Sequence, residues 1–271
     1  MTWIAILFGG VIGLSLGLTG GGGAIFAVPL LVYGLGTPAR EAVGISLAAV
    51  GVTSMAGFLS RLRKGEVELK TGLFFAVFGM MGAPVGTWLS RLFDDAVLLT
   101  MFAGLMLVVA WQLWRKAGGN EGMVESGDRS CKTEEATCAR DESGQLILTS
   151  PCALLLSIVG GMTGILSGLF GVGGGFVIVP ALVLFSGMSM HRAVGTSLMV
   201  ISLVSLSGIV SLVQSGQQIS WVLTGLFITG GLIGLLAGQL IGHRLSEKSL
   251  QRTFSIAILV VAVFVISRTM V

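Results

Sequence analysis

The sequence predicts an all-α integral membrane protein built from two inverted repeats. Of its 271 residues, 54% are hydrophobic and only 11% are charged, whereas soluble domains are nearer a quarter charged. Apolar runs of about 20 residues, long enough to cross about 30 Å of hydrocarbon, recur along the chain. Residues 17–32 (GLTGGGGAIFAVPLLV) also correspond to residues 168–183 (GLFGVGGGFVIVPALV). This internal duplication, at an offset of 151 residues (17 to 168), indicates a repeated half-unit.

Each repeat is predicted to contain five apolar elements. They cover residues 3–19, 24–36, 41–60, 69–92 and 96–114 in the first repeat, and 151–170, 175–188, 193–213, 219–242 and 249–267 in the second. A 13-residue piece such as 24–36 reaches only about 20 Å and does not cross a bilayer alone. The first two elements of each repeat are therefore predicted to be short re-entrant limbs that meet at a glycine cluster. Three transmembrane helices follow, giving about six full spans plus four short limbs, or eight to ten segments by hydropathy.

A polar linker is predicted to separate the repeats. Residues 116–149 are charged and poor in aromatics, which is typical of a solvated segment without a core. The first transmembrane repeat is thus assigned to residues 1–115 and the second to residues 150–271. The linker holds Cys131 and Cys138, and two thiols without a neighbouring His make a poor zinc site. We therefore predict no metal and no cofactor, and the role of the two thiols stays open.

The basic residues predict the orientation in the membrane. If the loop 61–70 and the linker are cytoplasmic, 13 of the 16 Lys and Arg residues lie inside, as the positive-inside rule requires. The other three are Arg40, Arg91 and Arg268. Both termini are then outside, and the loop 61–70 lies on the opposite face from its counterpart 213–219, so the repeats are inverted. We expect a multi-pass protein of the cell (plasma or inner) membrane, and this plan is common among secondary transporters.

The duplicated glycine clusters predict an anion site. A run such as Gly20–Gly23 would cost a helix about 1 kcal/mol per glycine, so it marks unwound backbone. The element after each cluster begins with unpaired N–H groups and the positive end of its dipole, which favour an anion near the midplane. The predicted substrate-binding residues are Gly20, Gly21, Gly22, Gly23, Gly171, Gly173, Gly174, Gly175, Ser46, Ser197 and Thr196. The alternative is that the glycines only permit tight helix crossings and the hydroxyls bond their own helices.

Three further residues are predicted to act at the two mouths of the site. Arg40, His191 and Arg192 occupy equivalent short loops of the two repeats, where a cation would concentrate anions at a gate. Interfacial anchoring is the alternative. We expect no Asp, Glu, Lys or Arg inside the cavity itself, which disfavours a proton relay. Nucleotide binding is excluded because the Gly-Lys-Ser/Thr motif and a correctly spaced ribose-binding carboxylate are missing, and the net charge of +3 does not suggest nucleic acid.

These motifs together carry a resemblance to a known family. Each glycine cluster is followed by an apolar run, a proline and then REAVGISL (40–47) or HRAVGTSL (191–198), with GMMGAPVG at 79–86. This pattern resembles the TauE/SafE sulfite exporter family over nearly the whole chain outside 116–149. The resemblance implies a permease for small sulfur-containing anions such as sulfite or sulfoacetate.

The sequence therefore predicts a transporter and not an enzyme. The function expected first is secondary export of a sulfur oxyanion or organosulfonate by alternating access. Uptake of thiosulfate or another small anion is the main alternative, and an intramembrane enzyme or a structural membrane subunit is less favoured. The predicted partners are that anion and the lipid bilayer. The sequence leaves open a homo-oligomer, the direction of transport and any coupling ion.

Overall fold

A computed structural model describes most of the two repeats. The described residues are 2–21, 23–94, 97–98, 100–102, 104–105, 150–171, 174–186, 188–214 and 220–242. Throughout these ranges the regular secondary structure is helical. The linker 116–149 and the predicted element 249–267 lie outside the described residues, as does most of the element 96–114.

The described helices follow the predicted order. They are α1 (Thr2–Thr19), α2 (Ala24–Pro29, continued by a π-helical turn over Leu30–Gly34), α3 (Ala39–Leu62), α4 (Leu69–Leu89), α5 (Ser150–Phe170), α6 (Gly175–Ser186), α7 (Met190–Gln214) and α8 (Trp221–Gly242). Five of them, α3, α4, α5, α7 and α8, are long and apolar enough to cross a membrane. This confirms the all-α membrane fold. The limb predicted over 151–170 differs from the expectation, because α5 has 21 residues and reaches the length of a full span.

The glycine clusters reverse the chain. We call residues 20–23 the first break and residues 171–174 the second break. After the first break α2 folds back along α1, since Gly23 lies against the Leu16 backbone and Gly34 lies against the Phe8 ring. In the second repeat Gly174 lies against α5, so that α6 begins alongside the helix that precedes it. The first pair is the short hairpin that the sequence predicts, whereas in the second pair α5 is long enough for a full span.

The central pair of helices shows that the repeats are inverted. α3 and α7 are equivalent at the offset of 151 residues, and they pack directly on each other. Gly57 lies against Leu198, whereas Gly208 lies against Leu47. α3 and α7 therefore run antiparallel. Equivalent helices that run antiparallel are the signature of an inverted repeat.

Glycine seams interlock the two repeats. The most extensive helix contacts join α1 to α8 and α4 to α5, so each seam pairs a helix of one repeat with a helix of the other. Gly13 lies against the Gly231 backbone in the first seam, and Gly164 lies against the Gly79 backbone in the second. Small residues permit this approach in lipid, where van der Waals packing drives helix association. Tight helix crossings therefore occur at glycines outside the two clusters.

Side-chain contacts place the loops at the two ends of the bundle. Arg40, at the start of α3, donates from Nη2 to the Phe93 carbonyl (3.3 Å). Arg192, at the start of α7, pairs through Nη1 with Glu68 Oε1 (3.8 Å). We call these the Arg40 end and the Arg192 end. The grouping agrees with the predicted topology, in which the loop 61–70 shares a face with Arg192, and the face of the membrane that each end occupies stays a prediction.

Candidate functional site

The first break touches the start of α6 inside the protein. Gly21 lies against the backbone of Gly175, the first residue of α6. A Cβ added to Gly175 would lie 2.6 Å from the Gly21 Cα, so a side chain would overlap the opposing backbone. The structure therefore brings these two predicted residues together, in direct contact and without the expected open cavity between them. Gly22 and Gly173 lie outside the described residues.

Each break docks onto the central helix of the other repeat. Gly20 (φ 73°) and Gly171 (φ 68°) are equivalent residues in the left-handed region, which favours glycine. A Cβ on Gly20 would lie 2.6 Å from Val194 Cγ1, and a Cβ on Gly171 would lie 2.6 Å from the Val43 Cα. Val43 and Val194 are themselves equivalent at the offset of 151 residues. Both glycines are thus required by backbone conformation and by contact.

The hydroxyls near the first break are hydrogen-bonded. Ser197, fully buried on α7, donates to the Gly20 carbonyl (2.8 Å) and is also 2.9 Å from the Val194 carbonyl. The neighbouring Thr196 accepts a hydrogen bond from the Glu68 N–H (3.0 Å). Of these two predicted ligands, Ser197 therefore faces the break, and Thr196 holds the loop that joins α3 to α4.

The hydroxyls near the second break have no hydrogen-bond partner among the described residues. Ser46 lies one helical turn after Val43, the residue against which Gly171 packs. Ser167 lies in the last turn of α5, where a Cβ on Gly174 would be 3.4 Å from its Cβ. Both side chains are fully buried, and neither Oγ has a hydrogen-bond partner within the described part of the chain. Leaving a buried hydroxyl unsatisfied costs about 1–3 kcal/mol.

Sequence reasoning selected Ser46 but missed Ser167. The selection used the duplication, and the counterpart of Ser167 in the first repeat is Leu16. It also missed Ser54 and Ser205, which are equivalent residues on α3 and α7, fully buried, and without a partner among the described residues. The repeat itself would have shown this second pair, because a serine recurs there at the same offset. Ser167 could have been found only from its position just before the break.

Arg61 is a buried charge close to the first break. The prediction placed it in a solvated loop, but it lies in the last turn of α3 and is 4% exposed. Its Nη1 pairs with Glu66 Oε2 (3.0 Å), and its Nη2 is 3.4 Å from the Gly17 carbonyl, just before the first break. The turn after α3 returns Glu66 to the helix end, and this counter-ion allows the burial. A pattern of apolar runs does not reveal such a pairing.

The three predicted gate residues lie at the two ends of the bundle. Arg40 is exposed and donates to the Phe93 carbonyl, with a longer contact (3.5 Å) to the Arg91 carbonyl. The Arg192 side chain is 51% exposed and pairs with Glu68. His191 is partly exposed beside it. The ends are opposite, as predicted, and a gating role stays a prediction.

A separate cavity of about 340 Å³ lies between α4 and α7. None of the predicted site residues lines it. Its wall includes Pro84, which cannot donate to the Met80 carbonyl one turn earlier, and Ser207 donates to that carbonyl instead (2.8 Å). Within the described ranges, no group of three or more His, Cys, Asp or Glu residues is arranged to hold a metal ion.

The architecture alone indicates the class of protein. Two inverted repeats, each with a broken helix hairpin that reaches the interior, make up a multi-pass membrane protein with the architecture of secondary transporters. The chain matches the family described as sulfite exporter TauE/SafE over residues 5–265. It therefore belongs to the TauE/SafE family, as the sequence resemblance predicts.

Similar curated proteins bear transporter names. A probable membrane transporter protein from Xylella fastidiosa (strain Temecula1 / ATCC 700964) is 34% identical, with 98% of this chain and 95% of the relative covered. The probable membrane transporter protein YunE from Bacillus subtilis (strain 168) is 26% identical, with 94% and 92% covered. No solved structure matches the chain. The family and these relatives together identify a membrane transporter.

Proposed function

We propose that the protein exports a small sulfur-containing anion, sulfite or an organosulfonate such as sulfoacetate, by alternating access. Transport is secondary, since the sequence contains no nucleotide-binding motif, and the anion leaves chemically unchanged. The repeats 1–115 and 150–271 are joined by the cytoplasmic linker 116–149. The family name supports the substrate class, and the site below supports an oxyanion.

The observation that carries the proposal is the set of donors at the second break. Ser46 and Ser167 present buried hydroxyls that lack a partner among the described residues. α6 begins at the same place, and the Ile178 N–H donates to the Gly174 carbonyl (3.1 Å). The N–H groups before this bond have no acceptor within the helix, and the dipole is positive there. Hydroxyl and amide donors together bind an oxyanion without a basic side chain.

The first break forms the opposing wall of this site. Gly20, Gly21 and Gly23 are buried, and Gly21 is in contact with Gly175. In the described conformation the two walls are in contact, so the site between them is closed. Separation of the two walls admits the anion, and re-closure carries it toward the other end. Because the repeats are inverted, the same movement in the opposite repeat opens the opposite end.

Anion binding tests the substrate class and the site together. The full-length protein is purified in detergent, and thermal stabilisation is measured with sulfite, sulfoacetate, thiosulfate, sulfate and chloride at matched ionic strength. We expect selective stabilisation by a sulfur anion. Ser46→Ala and Ser167→Ala should each lower the affinity for this anion about tenfold. Ser202→Ala is the matched control, since this buried hydroxyl already donates to the Met199 carbonyl of its own helix (2.8 Å).

Each outcome of this assay separates the two claims. Stabilisation by none of the sulfur anions contradicts the substrate class. Stabilisation that Ser46→Ala, Ser167→Ala and Ser202→Ala leave equally strong contradicts the site and retains the class.

Direction is tested in proteoliposomes loaded with sulfite. An inside-negative potential favours efflux of an anion by about 2.3 kcal/mol per charge per 100 mV. We expect the potential alone to accelerate efflux. Flux that requires an imposed proton or sodium gradient would instead support an uptake permease for thiosulfate or another small anion.

A further inference from the structure

A buried arginine stands beside the first break and has spare donor capacity. The Arg61 guanidinium carries five N–H groups. Glu66 Oε2 and the Gly17 carbonyl contact its two terminal nitrogens. Its Nε is buried and has no hydrogen-bond partner in the described part of the chain. A buried side chain that carries a charge and a donor without a partner among the described residues is a candidate for a ligand site.

The position of Arg61 puts it between the first break and the Arg192 end. Gly17 is three residues before Gly20, where the first break begins. On the other side, the loop after α3 packs on α7, because Gly195 lies against the Glu66 carbonyl. The Glu68 N–H fixes the same loop to Thr196 (3.0 Å). The Arg61 guanidinium therefore lies close both to the first break and to the Arg192 end.

Only the first repeat carries this charge. The residue equivalent to Arg61 is Leu212, which is 1% exposed, and the residue equivalent to Glu66 is Gln217. The equivalent position on α7 thus holds a buried side chain without a charge. The Arg61–Glu66 ion pair therefore has no counterpart at the equivalent positions of the second repeat.

We infer that Arg61 is a second anion subsite of the transporter, and that Glu66 occupies it as a tethered surrogate anion. This rests on the proposed function, because the ligand is the same sulfur oxyanion. A sulfite or sulfonate group presents oxygens that a guanidinium binds through two parallel N–H···O bonds, and Nε with one terminal nitrogen is such a pair. When the anion arrives, it displaces the Glu66 carboxylate, the loop releases, and the Arg192 end opens.

Opposite effects of two substitutions test the inference. Glu66→Gln removes the carboxylate that competes for Arg61. Because that carboxylate occupies the site most of the time, we expect sulfite and sulfoacetate to bind the variant about tenfold more tightly. In Arg61→Gln we expect affinity to fall roughly tenfold to a hundredfold. Arg63→Gln removes an exposed cation two residues away and is expected to leave affinity unchanged. Binding is measured by titration calorimetry on the full-length protein in detergent, with chloride as the reference anion.

The double variant Arg61→Gln/Glu66→Gln protects the test against misfolding. It removes both charges together, so no unpaired charge is buried. We expect it to fold and to bind sulfite as weakly as Arg61→Gln. Unchanged affinity in Glu66→Gln and in the double variant, with only a lowered melting temperature, would overturn the inference and leave the proposed function standing. Absence of sulfur-anion binding in the unmodified protein would overturn both.

Discussion

The two glycine breaks share a backbone conformation but differ in their polar surroundings. Gly20 and Gly171 both have positive φ and both dock onto a valine of the opposite repeat. At the first break the Ser197 hydroxyl donates to the Gly20 carbonyl. At the second break the equivalent hydroxyl, that of Ser46, and the hydroxyl of Ser167, beside Gly174, have no partner among the described residues. The repeat thus preserves the backbone and varies the donors.

This difference indicates how an inverted repeat can work asymmetrically. At the first break the Ser197 hydroxyl is hydrogen-bonded, and a buried cation, Arg61, lies nearby. The second break holds hydroxyl donors without a partner among the described residues. A conformation that satisfies one half and not the other is expected when the two halves alternate. Substitutions at equivalent positions should therefore have unequal effects on binding, even where their effects on stability match.

The largest effect is expected on stability, where the breaks are alike. Gly171→Ala forces a left-handed conformation on an L-residue, at about 1–2 kcal/mol, and pushes its Cβ into Val43, at about 1–3 kcal/mol. We expect the free energy of unfolding to fall by about 2–5 kcal/mol, and Gly20→Ala to behave the same way. The measurement is thermal unfolding in detergent, followed by circular dichroism.

Gly161→Ala is the control for the glycine substitutions. Its added Cβ meets no heavy atom within 4 Å in the described structure, and it lies within α5. Here alanine should stabilise by up to about 1 kcal/mol, because it is the better helix former. Equal destabilisation at positions 161 and 171 would show that the break geometry is not what limits substitution.

An intermediate effect separates the breaks by their hydroxyls. Ser197→Ala removes a bonded donor and leaves the Gly20 carbonyl without it, so stability should fall by about 1 kcal/mol. Ser46→Ala removes a hydroxyl that already lacks a partner, so stability should stay constant or rise by about 1 kcal/mol. Sulfite affinity should change in the opposite order, weakening in Ser46→Ala and holding in Ser197→Ala. Melting curves with and without sulfite measure both quantities, and identical behaviour of the two variants would remove the proposed asymmetry.

Most of the fold could be predicted from the sequence because it depends on one repeated pattern. The lengths of the apolar runs predict the helices, and the duplicated glycines predict the breaks. The placement of the basic residues predicts that the repeats are inverted. α5 matches the predicted range 151–170 to within one residue, but it is long enough for a full span, because apolar composition alone does not separate a limb from a span.

The candidate site was predictable only as far as it obeys the repeat. Gly20, Gly171, Ser46 and Ser197 follow it and were selected. Arg61, Glu66 and Ser167 break it, and their meaning depends on contacts between segments far apart in the chain, such as that of Arg61 with Gly17. Residues that depart from an internal symmetry are thus the ones that sequence reasoning by symmetry cannot reach.

The smallest effect is expected at the two mouths. The Arg192 side chain is half exposed and its ion-pair distance to Glu68 is 3.8 Å, and Arg40 is exposed. Exposed substitutions of this kind usually change stability by less than about 0.5 kcal/mol. Arg192→Gln should therefore leave the melting temperature almost unchanged. It should still slow sulfite entry from the Arg192 end roughly twofold at low ionic strength, because a cation at a mouth concentrates anions.

Salt and sidedness distinguish an electrostatic mouth from an interfacial anchor. The Debye length falls from about 30 Å at 0.01 M to about 3 Å at 1 M, so the effect of Arg192→Gln should vanish at high salt. In proteoliposomes with one orientation, Arg192→Gln should slow entry from one side and Arg40→Gln from the other. Slowing that persists at high salt, or that affects both sides equally, would mean that these arginines position the helix ends and do not attract the anion.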